Sequence, residues 1–278
     1  MDRAIDALGV TDASELKACC ATAYQSEWAR LILGDSFHPG GLALTERLGE
    51  WLALTPTHRV LDVAAGQGAS ALRLAERFGC TVVGVDYGSA SVQAATLAAQ
   101  AAGLDHLVTF QQGDAEQLPV ADAAFDAVIC ECAFCTFPDK PTAAREFMRV
   151  LAPGGRVGLS DLTRTGAVPD DLSGLLAWIA CIADAQPLAE YVRYLREAGF
   201  TVAQTEPHDA ALAEMVRAIQ GKLLGAEIMV KLKKIDVPPT VDFAQAKALA
   251  QSASAAIKSG TFGYALLTAT KAHETPAD

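Results

Sequence analysis

At 278 residues the chain holds one large α/β domain with appendages, or two small domains. Its 51% hydrophobic content and mean hydropathy of +0.22 describe a well-packed globule, and a formal net charge of −11 sets it against phosphate backbones and anionic membranes, so neither nucleic acid nor a membrane is an expected partner. No apolar run reaches about 18 residues, so no membrane span is expected.

The N-terminal M-D-R-A-I-D-A-L-G-V-T-D lacks a basic stretch followed by an apolar core, which argues against a signal peptide. Seven cysteines are an odd set without an export signal. Free thiols in a reducing, cytoplasmic setting are therefore expected.

Residues 12–34 have helical spacing, with Asp12 or Ser14 as cap, Gly34 as stop, and an apolar face that includes Leu16, Cys19, Cys20, Tyr24 and Trp28. The linker around His38-Pro39-Gly40-Gly41 separates it from a second helix over about 42–54. The next stretch organises the chain. Val60-Leu61-Asp62-Val63 reads as a buried strand, Ala64, Gly66 and Gly68 as a tight turn, and Ala71, Leu72, Leu74, Ala75 and Phe78 as the face of a helix. A strand, glycine turn and helix N-terminus direct unpaired N–H groups at a ligand.

Further strands are expected at 81–85, 108–110, 125–129 and, after the turn Pro153-Gly154-Gly155, at 157–159. Helices are expected at 170–185 and 188–198, a sixth strand from about 199, two helices at 209–232 and 241–258 joined by Val237-Pro238-Pro239, and a last strand at 264–269. The tail after Lys271 is expected to fray. Alternating strands and helices imply an α/β, Rossmann-like, seven-stranded, mostly parallel sheet with helices on both faces. The expected organisation is a helical lid at 1–58, a core at 59–207, a helical cap insertion at 208–260, and the last strand and tail at 261–278.

The ordered motifs D-V-A-A-G-Q-G, V-V-G-V-D, G-D-A-E-Q-L-P and V-L-A-P-G-G-R, over about residues 59–160, resemble those of the class I S-adenosylmethionine-dependent methyltransferases. The resemblance implies S-adenosyl-L-methionine as cofactor. Asp62 and the Ala64–Gly68 backbone, with Gly66, would meet its methionine part; Asp86 would take the ribose hydroxyls and Tyr87 would stack on adenine. Asp114 and Ala115 would meet the adenine edge. Cys130, still within the strand, joins this set, with packing as a small hydrophobe as its other reading.

The acceptor is read from the loop after the fourth strand, which carries Cys130, Cys132 and Cys135. Clustered thiols suit a soft partner. V-I-C-E-C-A is similar to the V-I-S-N-C-V of the arsenite methyltransferases, which places their cysteine on Cys132. Their later cysteine, in a G-E-C context after S-D, falls on Cys181, and a third, from before the first strand, on Cys20 or its neighbour Cys19. Their first motif usually reads D-x-G-S-G-x-G, so this chain departs from it at Ala64.

That resemblance implies Cys132, Cys181 and Cys20 as thiolate ligands of trivalent arsenic, the substrate, a thiol reductant in turnover, and transfer without a general base; Cys135, a further candidate from the same thiol cluster, has no clear counterpart in that family. A small thiol such as sulfide or methanethiol is the alternative acceptor, and a small-molecule O-, N- or C-methyltransferase with merely packed cysteines is another. A non-catalytic metalloid-binding protein fits poorly with an intact Asp86, Asp114 and glycine turn. Cys132-Ala133-Phe134-Cys135 is a C-x₂-C pair, but no second pair accompanies it for zinc. Glu131 alternates away from the cysteines if the strand continues, and receives no role.

Overall fold

The computed structural model describes residues 12–25, 31–32, 37–174, 177, 179–234 and 242–273. Trp28, Gly34, Val237-Pro238-Pro239 and the tail beyond 273 lie outside them. Seven strands form one sheet in the order β3-β2-β1-β4-β5-β7-β6. The strands are β1 (Arg59–Val63), β2 (Thr81–Asp86), β3 (Val108–Gln112), β4 (Phe125–Glu131), β5 (Leu151–Arg164), β6 (Thr201–Pro207) and β7 (Phe262–Thr270). All pairings from β3 to β5 are parallel, with Leu61 opposite both Val83 and Val128, and β7 runs antiparallel between β5 and β6. Strands buried on both faces need apolar residues at every step, which Val60, Leu61, Val63 and Ala127-Val128-Ile129-Cys130 supply.

Eight α-helices surround the sheet among the described residues: α1 (Ala13–Gln25), α2 (Gly41–Trp51), α3 (Ala69–Phe78), α4 (Ser89–Ala102), α5 (Lys140–Val150), α6 (Leu188–Glu197), α7 (Asp209–Lys231) and α8 (Phe243–Lys258). Their ends follow local chemistry. Asp12 accepts from the N–H of Glu15 at 2.9 Å, Asp139 from Thr142 at 3.0 Å, and Asp242 from Ala244 and Gln245. The helices α7 and α8 pack on each other between β6 and β7, and an alanine row at 250, 253 and 256 is buried along α8.

Two expected elements take other forms. Residues 170–185 are not one helix: a short 3₁₀ turn spans Asp170–Leu172, and the chain turns at 180–184, where Cys181 has φ +63°. A continuous helix cannot contain a left-handed residue. Pro153-Gly154-Gly155 does not precede a new strand; it lies inside β5, where pairing with β4 slips between Phe125–Leu151 and Ala127–Arg156. A bulge of that kind accommodates proline and a glycine at φ +80°.

Candidate active site

The chain order reverses between β1 and β4, and open parallel sheets place ligands beyond the carboxyl ends of the strands at that point. Here the turn after β1 carries Ala64 at φ +60°, Gly66 at +54° and Gly68 at +86°. A Cβ on Gly66 would meet no atom within 4 Å, so that face of the turn is open, whereas one on Gly68 would fall 2.6 Å from Phe110. Ala64 holds the position where the related motif has glycine, and its left-handed backbone gives the physical reason for that preference.

Three carboxylates look into the cleft. Asp86 accepts the N–H groups of Gly66 and Gly88, both at 2.8 Å, and burial pushes its carboxyl up. Asp62 is 2% exposed, and its Oδ2 is the one buried side-chain polar atom without a hydrogen-bond partner among the described residues. Burial first, then Glu131 and Asp86, pushes the Asp62 carboxyl well above its ordinary range. Glu131 accepts from Ser70 at 2.6 Å and Thr45 at 2.9 Å, with His38 at 3.6 Å and Ser160 at 3.4 Å. An orphaned acid oxygen among three acids is completed by a cation that can donate hydrogen bonds. The α-ammonium of S-adenosylmethionine would meet that requirement at Asp62, and Asp86 would take the ribose diol.

Helix α1 covers the cleft with Lys17, Cys20, Ala21 and Tyr24. Lys17 pairs with Asp114 at 2.8 Å and Glu116 at 2.5 Å. The expected adenine-edge acid thus faces the lid helix. Tyr87 lines the cleft; Asp114, Ala115 and Cys130 do not, and Cys130 is fully buried in the sheet core.

At the far end of the cleft the cysteines gather. Cys132 follows β4 at φ +53° and Cys181 sits at φ +63°, two strained residues brought together from 49 positions apart, with the Cys181 thiol 3.1 Å from the Cys132 carbonyl. Hydrogen bonds from the thiols of Cys132 and Cys135 and from Tyr24 hold the Cys181 thiol well below its ordinary range, with Lys140 adding to the effect. The Cys132 thiol is held well up by its bond to Cys181 and by burial, that of Cys135 by burial first. Cys20 lies near enough for its thiol to feel Cys181 and Cys19, but burial dominates and pushes it up to about 12. Among the described residues no group of three or more His, Cys, Asp or Glu side chains is arranged to hold a metal ion.

Sequence reasoning missed Glu131, His38, Asp161 and Lys140. Strand alternation set Glu131 aside, but β4 ends at that residue and the left-handed turn at Cys132 breaks the period. Asp161 accepts from the N–H of Cys135 at 2.8 Å, and the buried Lys140 pairs with Asp184 in the turn that presents Cys181. A lysine one residue after a helix-capping Asp139 carried no signal of that pairing.

The strand order and the acid-lined cleft define a class I methyltransferase fold. Residues 61–159 match the family described as a methyltransferase domain. The methyltransferase GfsG of Streptomyces halstedii is 32% identical over 160 residues, 58% of each chain. The arsenite methyltransferase of Halobacterium salinarum is 32% identical over 160 residues, 56% of this chain and 41% of that protein. The chain thus spans only about half of the curated relatives it matches. The [4+2]-cyclase SpnF has the same fold, with a TM-score of 0.76 at 23% identity over 94% of this chain and 96% of that one. Over residues 61–159 the chain carries a methyltransferase domain.

Proposed function

We propose that this protein transfers a methyl group from S-adenosylmethionine to a small acceptor with a soft nucleophilic atom, held where Cys132 and Cys181 close the cleft. The observation that carries this reading is that Cys132, on the cleft wall, meets Cys181, on the wall of the adjoining cavity, and the buried Cys135, with the Cys181 thiol acidified by the other two. S-adenosylmethionine supplies an electrophilic methyl on a sulfonium, displaced in line by an acceptor lone pair. The chain's residues position the two partners, and positioning accounts for most of the rate such a site can provide.

Trivalent arsenic is the finer reading, supported by the arsenite methyltransferase relative and by the cysteine set. Cys132 and Cys181 would bind it as thiolates, with Cys20 on the lid as third ligand. Methylation takes arsenic from the trivalent to the pentavalent state, so a thiol reductant returns two electrons in turnover. A thiol acceptor is the second reading, supported by the Cys181 thiol, which hydrogen bonds from Cys132, Cys135 and Tyr24 hold below its ordinary range.

The test is methyl transfer from labelled cofactor to arsenite with glutathione, beside sulfide and methanethiol, in the parent and in Cys132→Ser and Cys181→Ser. Methylated arsenic that drops at least tenfold in both variants is the expected result. Methylated sulfur alone moves the protein to the thiol methyltransferases, and labelled product unchanged in both variants contradicts the role of the cysteines.

A further inference from the structure

A second cavity, of about 300 Å³, lies beneath α7 and α8 and meets the first at a shared wall made by Tyr24, Phe37 and Cys132. Its body is hydrocarbon: Leu212, Val216 and Leu223 from α7, Leu249 and Ala253 from α8, and Leu162 from β5. No charged side chain lines it among the described residues. The hydroxyl and thiols of Tyr24, Cys132 and Cys181 cluster at the end that touches the cofactor cleft; elsewhere Met215 brings only a thioether. The cavity is therefore polarised, with soft and hydrogen-bonding groups at the mouth and an apolar interior.

Arsenite or sulfide would use only the mouth. An apolar cavity that a small inorganic ligand leaves unfilled has no counterpart in such a reaction, and cavities of this size commonly take organic ligands. Resting on the reading that the methyl group is delivered at the Cys132–Cys181 end, we infer that the acceptor is an uncharged organic molecule. Its alkyl or aryl body enters the cavity under α7 and α8 and presents a thiol sulfur or a trivalent arsenic at the mouth. The interior recognises the hydrocarbon, and the thiols recognise the soft atom. A charged tail is excluded, because none of the described lining residues could pair with it.

The experiment separates binding from turnover. N-phenyl-1-naphthylamine, a neutral apolar fluorophore, is titrated into the full chain and displaced by 1-butanol, 1-hexanol and 1-octanol, which test the interior without being methylated. Each methylene is expected to tighten competition about fourfold until the cavity is full. Val216→Phe and Ala253→Phe, on different helices, are each expected to weaken dye binding at least tenfold, with cofactor titration as the control for folding. The same preparations are assayed for methyl transfer to hexanethiol and phenylarsonous acid against sulfide and arsenite, where the longer acceptors are expected to show KM at least tenfold lower. Alkanols that compete equally whatever their length, or dye binding that survives both substitutions, would overturn the inference. A length-dependent series with no methyl product from any soft acceptor would retain the apolar site and overturn only the proposed chemistry.

Discussion

Asp161 shows how one residue ties the cysteine end of the site to the sheet. It is fully enclosed at the end of β5, accepting from the N–H groups of Cys135 and Leu162, and burial, followed by the neighbouring Cys181, pushes its carboxyl up to about 7. An acid raised in the folded state keeps its proton between about pH 4 and 7 while the unfolded chain has lost it. The folded state binds more protons across that window, so this group's contribution to stability falls as pH rises, by roughly 1.4 kcal/mol per unit, and is flat above 7. Urea unfolding at pH 5.5 and 8.0 checks this. Asp161→Ala is expected to lose that part of the pH slope, whatever its overall stability, and an unchanged slope would contradict the assignment.

Cys181 gives a second expectation at the same scale. With its thiol held below the ordinary range, it should react with iodoacetamide at pH 7 faster than Cys80, whose thiol burial pushes up to about 11, or Cys20 at about 12. Peptide mapping after brief alkylation reads this out, and equal labelling of the three would contradict it.

At the scale of elements, α1 matters as a lid. Lys17 anchors it across the cleft to the Asp114–Glu116 turn, and Gln25 closes on Gly88, where an added Cβ would lie 1.8 Å from its amide nitrogen. The Lys17 pair is partly exposed, so its strength is modest; Lys17→Ala is expected to weaken cofactor binding about two- to fivefold without unfolding the core. Binding at parental affinity would show that the lid does not depend on this anchor.

The same elements show what the sequence carried. Apolar runs located the inner strands, β1 and β4 above all, and the 3.6-residue pattern located the two cap helices, because these segments bury apolar side chains. The left-handed turns at Cys132 and Cys181 were not legible, since a positive φ at a non-glycine residue is imposed by tertiary contacts and leaves no pattern. That is why 170–185 reads as one helix in sequence but turns at 180–184 in the structure, and why Glu131 looked turned away. The cysteine pairing itself was legible only through resemblance, not spacing.

At the scale of the whole molecule, charge and shape divide the labour. The net charge of −11 belongs to the whole chain, but Asp62, Asp86 and Glu131 set three acid groups in one partly enclosed cleft suited to a cationic cofactor, beside a cavity that carries no charge among its described lining residues. In the proposed reading, one molecule would bring together a cationic methyl donor and an uncharged acceptor from opposite sides of Cys132. Calorimetric titration of S-adenosylmethionine into the full chain tests this most directly. One saturable site per chain is expected, with affinity that rises with pH as Asp62 and Asp86, both pushed up by burial, lose their protons. Asp86→Ala should weaken it at least about tenfold, the loss of charge-assisted hydrogen bonds to the ribose. Titrations without heat, or an affinity that Asp86→Ala leaves unchanged, would contradict the assignment of the cleft.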